Sequence, residues 1–207
     1  MKKLIVLSAD LDIQNAIQGL LMRHESLGFS PLSLKDDVDF IRHPNHDSGC
    51  YINAAEYLRY AVRKYGHALV LFDREGCGKD HEIVDDLSTK VEEDMKLAGW
   101  TDPAVIVLDP ELEAWVWSCS PKVDEELGWK GASPPLRQWL KMAGFLEEGT
   151  VKPLRPKEAL EAALRKVQKP RSARIYLNLA RQVGLSRCND RSFEKFRQVM
   201  TRWFPKG

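Results

Sequence analysis

No run of this sequence approaches the roughly 18 to 20 consecutive apolar residues that a membrane-crossing helix needs, so no membrane partner is expected. The opening stretch Met1-Lys2-Lys3-Leu4-Ile5-Val6-Leu7 meets Asp10 too soon for the apolar core of a secretory leader, which predicts a cytoplasmic protein. Cysteine is scarce and scattered. Cys50, Cys77, Cys119 and Cys188 form no CxxC pair, which argues against a disulfide framework or a thiolate zinc site and predicts reduced, mostly buried side chains. Repeats and low-complexity segments are absent. No P-loop, GxGxxG, helix-turn-helix, zinc-finger or RNA-recognition signature appears, which weakens the case for a nucleotide-binding sensor at Gly76–Gly78 and for a transcription factor.

Charge is abundant but unevenly placed. The formal net charge of the 207 residues is +1, yet residues 1–150 hold 16 Lys and Arg against 26 Asp and Glu, and residues 151–207 hold 15 against 4. A basic segment of that density suits nucleic acid or an acidic partner surface, and the acidic part can bind cations or dock onto the basic one. Lys152, Arg155, Lys157, Arg165, Lys166, Lys169, Arg171 and Arg174 form its densest stretch. Among them, Lys157, Lys169, Arg171 and Arg174 are the candidate phosphate-backbone contacts. With no base-reading signature, such binding is expected to tolerate sequence and to weaken with salt.

Four apolar runs alternate with helical periodicity. Lys3–Ser8, Val38–Arg42, His67–Phe72 and Ala104–Leu108 read as strands. Helices are expected over Ile13–Leu27, Ala54–Tyr65 and about Asp80–Ala98, with His43–Gly49 as a loop rich in turn formers. This order predicts an α/β fold with an open, mainly parallel sheet and flanking helices over residues 1–120. A basic, helical C-terminal region over 121–207 follows, with helices opening at Pro134, Pro156, Ser172 and Ser192 and packed on the first domain.

Ligands gather at the carboxyl ends of strands in such sheets. Asp10 and Asp12 follow the first strand, Asp73 and Glu75 the third, and Asp109, Glu111 and Glu113 the fourth. Convergent carboxylates of this kind are what Mg²⁺ requires. Asp12 and Asp109 read as helix caps, and Glu111 as a complement to a helix dipole. His43 and His46, with Asp47 beside them, form a weaker candidate for a metal site or general base. Cys77 is a weaker nucleophile candidate. The stretch Glu111–Trp117 reads as the first turn of a helix with both tryptophans packed in the core.

The residues 4–10, 68–78, 109–117 and 155–159 resemble small bacterial proteins of methylation-associated anti-phage defence systems, and a broader TOPRIM-like family with a Glu-x-Glu-Ala-Trp stretch. TOPRIM domains place a glutamate after the first strand and an Asp-x-Asp pair after a later one to bind Mg²⁺ for phosphodiester chemistry. Here Asp10 stands for that glutamate, and Asp73-Arg74-Glu75 for the pair. The resemblance implies a component of a prokaryotic defence system that cleaves nucleic acid as a Mg²⁺-dependent nuclease. Asp10, Asp73 and Glu75 would be catalytic, and Asp10, Asp73, Glu75, Asp109 and Glu113 would hold the metal. The alternative is a non-catalytic adaptor subunit that binds other defence proteins, with Arg74 neutralising an acid in place of the metal.

Overall fold

The computed structural model describes residues 1–184 and 190–207; Cys188 lies outside the described residues. Its centre is a four-stranded, all-parallel sheet of β1 (Lys2–Ser8), β2 (Val38–Arg42), β3 (Tyr65–Asp73) and β4 (Ala104–Leu108), in the order β2-β1-β3-β4. The fold is therefore α/β, as the alternation predicts. Every residue of β4 is buried, in keeping with its continuous apolar run. Its outer edge does not stay bare: the Val105 N–H donates to Glu92 Oε1.

Strand order dictates where the helices go. The chain moves one way from β1 to β2 and the opposite way from β2 to β3 and β4, so right-handed crossovers put α1 (Leu11–Leu21) on one face and α3 (His46–Tyr57) and α4 (Val84–Leu97) on the other. The direction reverses between β1 and β3, and this is the topological switch point of the sheet. A short α2 (His24–Leu27) ends at Gly28, whose φ of 87° closes the turn that the sequence marks.

Among the described residues six helices follow β4: α5 (Glu113–Val116), α6 (Pro121–Glu126), α7 (Leu136–Met142), α8 (Pro156–Lys166), α9 (Ala173–Gln182) and α10 (Arg191–Trp203). Helix α9 lies along α1 and α10 against β4, and one continuous apolar core joins this region to the sheet. The contact between α1 and α9 is close at Gly19, where a Cβ would stand 2.7 Å from both Ala180 Cβ and Leu177 O.

Two local expectations are corrected. Helix α3 begins at His46, not Ala54, and it breaks at Tyr57 before a 3₁₀ turn over Arg59–Ala61. The turn formers of His43–Gly49 are drawn into its start because Gly49, lacking a side chain, lies against the His43 ring, where a Cβ would meet Nδ1 at 2.0 Å. The cap of α1 is Asp10, whose Oδ1 accepts the Ile13 N–H at 2.8 Å, not Asp12. Among the described residues no helix is long and apolar enough to cross a membrane.

Candidate carboxylate site at the switch point

Asp73 is the last residue of β3, and three connections meet at it. Its N–H donates to Asp47 Oδ1 at 2.8 Å, and its own Oδ1 accepts the Leu112 N–H at 2.9 Å. The end of β3 is thereby tied to the first turn of α3 and to the segment between β4 and α5. Burial pushes the Asp73 carboxyl well above the ordinary carboxylate range, and the charges of Asp47, Glu113 and Asp10 push the same way. Asp47 is raised as well, by burial and then by Asp10. Asp10, Asp47, Asp73 and Glu113 thus share one patch of negative charge at the β1/β3 reversal.

Two cations from the C-terminal region, Lys157 on α8 and Arg171 in the connection from α8 to α9, enter beside that patch. Arg171 Nη2 lies 2.8 Å from Asp12 Oδ2 and 2.8 Å from Glu113 Oε1, and Nη1 lies 3.2 Å from Glu161 Oε1. Burial works against its charge, but Tyr176, Glu113 and Asp12 outweigh burial and hold the guanidinium protonated. Glu113, only 1% exposed, also accepts the Tyr176 hydroxyl. Lys157 approaches Glu111 at 3.7 Å and feels the charges of Glu113, Glu111 and Asp73. Glu111 Oε1 accepts the Lys157 N–H at 2.8 Å, at the first turn of α8. The dipole complement expected of Glu111 is real, but it serves a helix far along the chain and not its own.

The predicted site residues divide accordingly. Asp10, Asp73 and Glu113 are brought together; Glu75 is exposed on the loop after β3, and Asp109 turns outward to Arg74 at 3.0 Å. Arg74 neutralises Asp109, not either acid that flanks it. Of the predicted nucleic-acid contacts, Lys157 and Arg171 lean onto the acidic patch while staying open to solvent, Lys169 pairs with Glu126 at 3.8 Å, and Arg174 is exposed. Cys50 and Cys77 are buried and Cys119 is exposed, all three as free thiols. Burial raises the Cys77 thiol, which removes it as a thiolate nucleophile.

Sequence reasoning ranked Asp47 only as a neighbour of two histidines and did not find Tyr176. The signal for Asp47 was its place just after the second strand, at the same sheet edge as the other acids. Tyr176 carried none, because its partner Glu113 is 63 positions away.

Among the described residues no three His, Cys, Asp or Glu side chains converge tightly enough to hold a metal ion between them. Mg²⁺ asks for less: one or two carboxylates, with water and substrate oxygens completing its shell. Asp10, Asp47 and Asp73 each spend one oxygen on a backbone N–H, and the other accepts no hydrogen bond among the described residues. Their mutual repulsion is the kind of charge a cation relieves, so a carboxylate and water site for Mg²⁺ fits here. Compared with protein-family models, curated proteins and solved structures, the chain matches none.

Proposed function

We propose that this chain is a Mg²⁺-dependent phosphodiester hydrolase acting on nucleic acid in the cytoplasm, as a component of a prokaryotic anti-phage defence system. The observation that carries the chemistry is the crowding of Asp10, Asp47 and Asp73 at the switch point, with negative charge in excess of what Lys157 and Arg171 supply. The defence role rests on the resemblance of the segments around Asp10, Asp73 and Glu113. Mg²⁺, when bound, would lower the pKa of a coordinated water and screen phosphate charge. Asp10 and Asp73 would hold it, with Asp47 fixing the end of β3 through the Asp73 N–H. Lys157, next to Asp73, would meet a non-bridging phosphate oxygen. Exposed Arg165, Lys166 and Arg174 would attract the backbone from outside.

The test is cleavage of single- and double-stranded DNA and RNA with and without Mg²⁺, comparing the natural chain with Asp10→Ala and Asp73→Asn. Metal-dependent cleavage lost in both variants is the expected result; cleavage unchanged by either substitution overturns it.

A second reading, a non-catalytic adaptor, is favoured by one set of contacts. Arg171, Lys157 and Arg74 already neutralise Asp12, Glu113, Glu111 and Asp109 from within the chain. On that reading a chain carrying Asp73→Ala and Glu75→Ala still protects cells against phage, whereas loss of protection excludes it.

A further inference from the structure

A cleft of about 490 Å³ opens between the ends of β1 and β2, lined on one side by Asp10 and Asp12 and on the other by Arg42, His43 and His46. Its walls differ in chemistry. The β1 wall is carboxylate and the β2 wall carries nitrogen donors, an asymmetry suited to a group that is anionic on one side and cation-bound on the other.

His43 is the most constrained member of that lining. It is only 4% exposed. Its backbone N–H joins Ser8 O at 3.0 Å, the Tyr57 ring packs on it with centroids 4.6 Å apart, and Gly49 presses on the edge that carries Nδ1 and Cε1. Nδ1 accepts the Asn45 N–H at 3.1 Å. A nitrogen that accepts a hydrogen bond carries no proton, so the neutral ring bears its proton on Nε2. Nε2 has no hydrogen-bond partner among the described residues, in a residue more than nine-tenths buried whose remaining exposure adjoins the cleft that it lines.

We infer that this cleft is the subsite for a phosphoryl oxygen of the substrate, and that His43 binds that oxygen as an Nε2–H donor. Charging the ring would set two donors, Nδ1–H and Asn45 N–H, against each other; burial and then His46 also lower its basicity. His43 therefore donates and does not act as a general base. The inference rests on the hydrolase reading for the identity of the oxygen, since the neighbouring acids would repel a bare phosphate, whereas a phosphate carrying Mg²⁺ presents its cation to Asp10 and an oxygen to His43.

Two-bond ¹H–¹⁵N spectra of the full chain, with Mg²⁺ and bis(p-nitrophenyl) phosphate as probe, test this alongside cleavage by the natural chain, His43→Gln and His43→Phe. The expected result is an Nε2–H tautomer whose Nε2 resonance shifts with the probe. His43→Gln, which keeps an N–H donor, should stay within about tenfold of natural kcat/KM, and His43→Phe, which keeps an aromatic ring against Tyr57, should lose roughly 100-fold. An Nδ1–H tautomer, an unmoved Nε2 resonance, or full activity in His43→Phe overturns the subsite. If the probe shifts Nε2 but the natural chain cleaves nothing, the subsite stands and the hydrolase reading fails; if it cleaves and His43 is silent, the reverse holds.

Discussion

Arg171 is reached by Asp12, Glu113 and Glu161 at once, and it is the one cation in ion-pair contact with Glu113 among the described residues, the Tyr176 hydroxyl supplying only a neutral donor. Replacing Arg171 with Met strands a buried carboxylate and should cost about 3 kcal/mol in a urea titration. Adding Glu113→Gln removes the stranded charge, and the double variant should recover most of that loss, a coupling that additive sites would not show. Asp73 offers the opposite case. Its folded carboxyl is raised, by burial first and then by Asp47, Glu113 and Asp10, so the folded chain holds that proton more tightly than the unfolded one. The penalty is absent below the ordinary Asp range, appears as pH rises from there, and is complete above the raised value. Asp73→Asn, whose amide oxygen can still accept the Leu112 N–H, is expected to stabilise the chain at neutral pH and to do little near about pH 3. Melting temperatures at the two pH values check it. Asp73 was readable because it ends an apolar strand. What perturbs it was not, since its burial and the charges of Asp47, Glu113 and Asp10 around it come from segments distant in the chain.

Helices meet most tightly where Gly19 lets α9 approach α1. Gly19→Ala would gain up to about 1 kcal/mol of helix propensity. Its Cβ, however, would strike a backbone carbonyl, Leu177 O, as well as Ala180, and overpacking of this kind costs about 1–3 kcal/mol. Net destabilisation in thermal unfolding is the expected outcome, and a stabilised variant would show that α9 can slide away. Element identity was largely legible. All four strands followed from apolar runs, and α8, α9 and α10 from their amphipathic stripes and expected starts at Pro156, Ser172 and Ser192, the last of which the structure moves back to a cap at Asp190. The start of α3 was not, because His43–Gly49 has loop composition, and the close approach of Gly49 to the His43 ring is a packing detail that composition does not carry.

Over the whole molecule, the two halves of opposite charge are in large part each other's partner. Beyond Arg171 and Lys157, tail residues Arg191, Lys195 and Arg202 pair with Asp85, Glu92 and Asp102 of the first half. The charge asymmetry was plain in the sequence; its destination was not, because composition cannot say whether a basic segment faces outward. This has a measurable result. If Arg165, Lys166 and Arg174 are the cations of the dense basic stretch left to meet phosphate, the affinity for an oligonucleotide duplex should fall with a log–log salt slope of about −3, and a slope near −7 would mean the internal ion pairs open on binding. The same return of the tail sets an order of events in time. Arg23, just after α1, donates to the carbonyl of Val183, 160 positions later, and the Ser30 N–H to that of Phe204. During synthesis the side of α1 at Gly19 must therefore wait, uncovered, until α9 has been made, and contacts of such separation fold slowly. The window in which this protein is open to aggregation or chaperone capture is set by that delay, and it closes when α9 seats on α1.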